Sequence, residues 1–204
     1  MRKDILIALG LVISAAPAAA QRGGTVEFGL VGKWTHLHHS FHADAAWGAG
    51  VRLGVFLNRH WSLELDDAQT FSHANNFFKG YARTTLNYYP HHLRLDFNQS
   101  LGPTGRVTWM IGAGPAYNGY GKEGGTEPGF KGHDWGIAGL TGFRVRFTPA
   151  LGFRADAIVD YIPSPNSGKP EIVSQFQGIN AASPPNSNLN IGVQAGLSVF
   201  LGRK

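Results

Sequence analysis

The sequence predicts an all-β fold, eight antiparallel strands closed into an up-and-down transmembrane β-barrel, and three observations predict it. Apolar residues alternate with polar or small ones at period two in segment after segment. The connections between those segments alternate between tight and long. The face opposite the apolar one carries charges of both signs spaced by glycine. Composition agrees: 43% of the 204 residues are hydrophobic and 15% are charged, and the 28 glycines follow no collagen-type period. Helices tolerate so much glycine poorly. No apolar run approaches the ~20 residues that a spanning helix needs, so a helical membrane protein is excluded.

The chain opens on a secretory leader. Met1-Arg2-Lys3-Asp4 is a short basic region, Ile5 to Ala15 is almost unbroken apolar sequence, and Ala18-Ala19-Ala20 supplies the small residues that a signal peptidase reads. Cleavage after Ala20 divides the chain into a signal peptide, residues 1–20, and one barrel domain, residues 21–204. The formal charge of +5 falls to about +4 without the leader, and basic residues are dispersed, so no nucleic-acid partner is expected. The absence of cysteine means that no disulfide framework supports the fold.

Each strand is justified by its own alternation. The first sets Val26, Phe28, Leu30, Gly32 and Trp34 against Glu27, Gly29 and Lys33. The second sets Trp47, Ala49, Val51, Leu53, Val55 and Leu57 against Gly48, Gly50, Arg52 and Gly54, and the third sets Trp61, Leu63 and Leu65 against Ser62, Glu64 and Asp66. A fourth lies between Gly80 and Pro90, with Leu86 and Tyr88 facing away from Arg83 and Asn87. Proline cannot donate to a ladder, so the strand is ended at Pro90 and His91 to Gly105 is read as a longer turn, although Leu93, Leu95 and Phe97 alternate with Arg94 and Asp96. The fifth sets Val107, Trp109, Ile111 and Ala113 against Arg106, Thr108, Gly112 and Gly114. The sixth sets Trp135, Ile137, Phe143, Val145 and Phe147 against Gly136, Gly142, Arg144 and Arg146. The seventh sets Leu151, Phe153, Ala155, Ala157, Val159 and Tyr161 against Arg154, Asp156 and Asp160. The last is the clearest: Leu189, Ile191, Val193, Ala195, Leu197, Val199 and Leu201 alternate with Asn190, Gly192, Gln194, Gly196, Ser198 and Phe200. A helix would scatter these side chains around its circumference, whereas a strand gathers the apolar set on one face.

Asn58-Arg59 and Thr148-Pro149-Ala150 make tight turns, while residues 38–45, 72–79, 121–133 and 163–187 are longer and rich in Gly, Pro, Asn and Ser. Short turns on one side and long loops on the other are the habit of an up-and-down barrel. The opposite face decides that the apolar one meets lipid. It carries Glu27, Glu64, Asp66, Asp156 and Asp160 with Lys33, Arg52, Arg106, Arg144, Arg146 and Arg154, charges that can pair inside a narrow lumen. Aromatic residues stand at both ends of the apolar band. Trp34, Trp47, Trp135 and Tyr161 lie on the long-loop side, and Trp61, Trp109, Phe147 and Phe153 on the short-turn side, as two membrane interfaces favour. Both termini then fall on the periplasmic side.

Ile111-Gly112-Ala113-Gly114-Pro115-Ala116-Tyr117, Thr85-Leu86-Asn87-Tyr88-Tyr89-Pro90 and Ile191 to Gly202 resemble the fifth strand, the end of the fourth and the closing strand of the eight-stranded outer-membrane barrels related to the OmpA transmembrane domain. The resemblance covers residues 21–204 and implies a cell outer membrane location. Two features depart from it: the sequence continues past Phe200 with Leu201-Gly202-Arg203-Lys204, where such barrels usually finish on an aromatic residue, and peptidoglycan binding is not carried over.

The expected function is non-enzymatic: a monomeric barrel with a structural or surface-interaction role, whose partners are outer-membrane lipid, the barrel-assembly machinery and a surface ligand met by the loops, with no cofactor. Two alternatives stand beside it. One is a lipid A-modifying enzyme, for which the nearest acyl-transfer material is Ser72 and His73 with Asp67. The other is a narrow porin-like channel along Glu27, Lys33, Arg52, Glu64, Asp66, Arg144, Arg146, Arg154, Asp156 and Asp160. His36, His38, His39 and His42, followed by Asp44, are candidate metal ligands, although no second ligand pair stands at a recognised spacing and a solvated loop explains them better.

Overall fold

The computed structural model describes residues 23–38, 45–73, 85–123, 131–163 and 187–202. The leader and its cleavage point lie outside them. The described residues form eight strands: β1 (Val26–His36), β2 (Ala46–Phe56), β3 (Trp61–His73), β4 (Thr85–Leu101), β5 (Val107–Glu123), β6 (Lys131–Arg146), β7 (Leu151–Ile162) and β8 (Asn188–Leu201). Each pairs with its neighbours in sequence, and β8 pairs with β1 to close the barrel, antiparallel throughout.

The register fixes the shape. A path along paired residues from Trp61 runs through Phe97, Ile111, Thr141, Ala157, Val193, Trp34 and Trp47 and returns to β3 at Phe71, ten residues from its start. A shear of ten across eight strands tilts them about 41° from the axis and sets a backbone radius of about 8 Å. Each residue then climbs ~2.5 Å along the axis, and each sideways step climbs ~3 Å. On this scale Trp61, Phe97, Trp109 and Phe153 fall within about 3 Å of one height, and Trp34, Trp47, Trp135 and Tyr161 cluster about 20 Å above them, close to the height of a bilayer's apolar band. Seven of the eight girdle residues expected from the sequence therefore fall in two planes, with Phe97 joining the lower one; Phe147 does not, because it lies in the turn after β6, about 6 Å below Trp61. Between the two planes the outward side chains Leu30, Val51, Leu53, Leu65, Leu93 and Leu95 are exposed, as a lipid-facing wall requires.

The narrow radius also explains the inward glycines. A Cβ at Gly48 would collide with the carbonyl oxygen of Gln69, and one at Gly196 with that of Leu30, so the neighbouring strand's backbone occupies the space a side chain would need.

β4 corrects the reading of Pro90. The strand continues to Leu101, and the turn shrinks to residues 102–106, with Gly102 and Gly105 at φ 75° and 61°, a left-handed backbone that glycine adopts without penalty. Proline does interrupt pairing, but on one side only: the β3–β4 ladder lapses between Asp67↔His91 and Thr70↔Tyr88 and resumes in the same register, while Pro90↔Asn118 holds the other edge. Pro115 repeats the device one strand on, where the β4–β5 ladder lapses between His92↔Ala116 and Leu95↔Ala113 while Pro115↔Ile137 holds. Tyr88 points into the lumen and is buried, stacked on Tyr120 at 5.4 Å. Arg106 lies in the exposed turn before β5 rather than in the lumen.

Candidate functional site

Period two delivers the alternate residues of every strand to the lumen, and there they form layers. At the short-turn end the Arg146 guanidinium lies 4.1 Å over the Phe200 ring and that of Arg144 lies 5.0 Å over Phe56, so two cation–aromatic stacks cap this mouth. Arg144 also pairs with Glu27 at 2.6 Å and donates to Asn98 Oδ1 at 3.0 Å.

Above the cap lies the main charge cluster. Glu64 is its centre: both Arg154 terminal nitrogens engage its carboxylate, Arg94 Nη2 donates to Oε1 at 2.6 Å, and Arg52 Nε stands 3.8 Å from Oε2. Arg154 Nε and Arg52 Nη1 reach Asp156 at 2.8 and 3.3 Å, and Arg52 Nη2 reaches Glu27 at 3.3 Å. Gln194 Nε2 donates at 3.1 Å to both Asp66 and Asp156, and Ser198 donates to Glu27 at 2.7 Å. Acids and bases in near balance cancel each other's field, and the side-chain amides and hydroxyls supply further hydrogen bonds, the two conditions under which enclosed charge is tolerable.

Toward the long-loop end the network thins. Lys33 Nζ stands 3.9 Å from Asp66. Arg94 Nη1 lies 2.8 Å from His92 Nδ1, and His92 Nε2 lies 2.9 Å from Asp160. The Tyr88 hydroxyl lies between Asn118 Oδ1 and Asp160 Oδ2, at 2.7 and 2.9 Å. Leu37, Ala46, Tyr120 and Ile162 complete an apolar collar here.

Of the eleven charges expected on the lumen face from the sequence, ten are buried there and Arg106 is not. Sequence reasoning missed His92, Arg94, Asp96 and Asn98, all buried in the lumen, because the strand carrying them had been ended at Pro90. The alternation of Leu93, Leu95 and Phe97 was the signal that could have found them.

Among the described residues the histidine candidates are not gathered. His36 is exposed and stacks on Trp34 at 6.3 Å, the His38 backbone N–H donates to Asn190, and His39 and His42 lie outside the described residues. The acyl-transfer set is not assembled either. Ser72 is buried on the lumen side, whereas Asp67 faces outward with 52% of its side chain exposed, its carboxylate 2.9 Å from His91 Nδ1.

The outer membrane protein beta-barrel domain family matches residues 5–194. No curated protein matches the sequence. Among solved structures, the outer membrane protein OprG of Pseudomonas aeruginosa superposes with a TM-score of 0.60 at 12% identity, over 90% of this chain and 99% of that one. Neisserial surface protein A gives 0.54 at 14%, over 86% and 95%, and the attachment invasion locus protein Ail of Yersinia pestis gives 0.53 at 10%, over 89% and 100%. At such identities these likenesses carry the fold alone, and it is the fold already derived from register and girdles. The chain belongs to the outer membrane protein β-barrel family, and its place is the outer membrane.

Proposed function

We propose that this barrel is a closed scaffold that conducts no solute and meets its ligands or surfaces at the extracellular end, through the long connections between strands. One observation carries the reading: the lumen is occupied across its section by the charge cluster around Glu64, and the short-turn mouth is capped by Arg144 and Arg146 on Phe56 and Phe200. Eight strands leave an interior just wide enough for side chains to fill. Function then has to reside outside the lumen, and the loops are where such barrels vary. The lipid A-modifying alternative gains no support from Ser72 and Asp67, which face opposite sides of β3.

The test is electrical. Purified barrel inserted in a planar lipid bilayer at neutral pH is expected to leave the membrane current at background. Steady, single-sized conductance steps from the unmodified protein would replace the closed scaffold with the narrow channel.

A further inference from the structure

Among the described residues, the outward wall carries a contacting pair of ionisable side chains where lipid should meet apolar ones. Asp67 on β3 and His91 on β4 are register partners, both outward, with 52% and 41% of their side chains exposed. Asp67 sits about 15 Å above Trp61 on the axial scale, roughly 5 Å below the upper girdle and therefore inside the apolar band. A short aspartate cannot extend its carboxylate to the interface as a lysine extends its amine. Ionisable groups at such a depth are costly and mark a site by default.

The surroundings indicate what would satisfy the pair. Their contact uses His91 Nδ1 and Asp67 Oδ1, and about half of each side chain remains exposed on the outward wall. Just above them Gln69 Nε2 reaches the Tyr89 hydroxyl at 3.4 Å. To one side Tyr117 stacks on His133 at 5.2 Å and meets the Trp135 edge at 5.1 Å, with its ring 5.8 Å from that of His91. The patch thus offers acceptors, an imidazole, an amide and aromatic faces. The Asp67 carboxylate repels a phosphate.

We propose that the Asp67–His91 patch binds an outer-leaflet glycolipid through the uncharged linkage region where sugar meets acyl chain. Hydroxyl and amide N–H groups of that region donate to Asp67, His91 holds the carboxylate in place, and the Tyr117 and Trp135 faces receive the sugar's apolar side. The assignment depends on height and chemistry in the wall, not on whether the lumen conducts, so its failure leaves the closed scaffold standing.

The full barrel is reconstituted in phosphatidylcholine vesicles doped equally with an acylated glucosamine glycolipid and phosphatidylglycerol, extracted into mild detergent and weighed by native mass spectrometry. The parent should retain the glycolipid in preference to phosphatidylglycerol. Asp67→Leu with His91→Leu should lower that retention about tenfold while heat-modifiable migration on a gel persists. Should the double variant fail to fold, Asp67→Leu alone must show the loss, and Asp67→Asn, which keeps an acceptor, must restore most of the retention. Equal retention by parent and leucine variants overturns the proposal, as does preferential retention of phosphatidylglycerol. A parent that leaves the vesicles as a dimer dissociated by the same substitutions also overturns it, by assigning the patch to a second copy of the chain.

Discussion

Glu64→Gln is expected to destabilise the barrel by about 3–5 kcal/mol, the cost of leaving enclosed charge uncompensated. Three guanidinium groups, from Arg52, Arg94 and Arg154, converge on this one carboxylate, and glutamine removes the charge while keeping the shape. In urea titrations read by the gel shift between folded and unfolded protein, the midpoint should fall by about 1–2 M. Replacing Glu64 and Arg154 together with leucine should cost less than the single change, because Arg52 and Arg94 then face Asp156 and Asp96 in a balanced remainder. Identical midpoints for parent, single and double variants would mean that water fills the lumen and screens the charges.

The neighbouring residue gives the second large effect, with the opposite logic. Leu65 faces lipid between Leu53 and Leu93, its register partners, and is half exposed. Leu65→Arg should cost about 2–4 kcal/mol, whereas Leu57→Arg, beyond the lower girdle, should cost about 0–1 kcal/mol. One residue along β3 separates a site where arginines gather from a site where one is expelled. Folding yield in preformed vesicles would show this contrast, and an equal, small loss at both positions would remove the lipid from the account of this wall.

Period two made most of this legible. Because side chains alternate strictly, the faces of β1, β2, β3, β6, β7 and β8 follow from the sequence, and with them ten of the eleven charges expected in the lumen, Arg106 being the exception. What was not legible depends on partners that lie far away in sequence. Pro90 reads as a terminator when one strand is considered alone; in a closed sheet each strand has two edges, and the β5 edge carries β4 past the proline. That error hid His92, Arg94 and Asp96, and with Arg94 one of the three groups that hold Glu64. Alternation alone set Leu86 and Tyr88 opposite Arg83 and Asn87 without saying which side was the lumen, and the lumen's upper collar takes Tyr88. The Asp67–His91 pair had no local signal at all, since its members meet only through the β3–β4 register.

The central claim, that two aromatic planes bound a lipid-facing wall, is tested most directly by the depth of the tryptophans. Single-tryptophan variants retaining Trp34, Trp47, Trp61, Trp109 or Trp135, reconstituted in vesicles whose acyl chains carry bromine at defined positions, should sort into two depth classes. Trp61 and Trp109 should lie near one interface and Trp34, Trp47 and Trp135 near the other, about 20 Å apart, with Leu65→Trp quenched most by bromine near the chain ends. Uniform quenching of all six by aqueous iodide, with no response to bromine at any depth, would contradict the account and return the apolar face to a water-soluble protein.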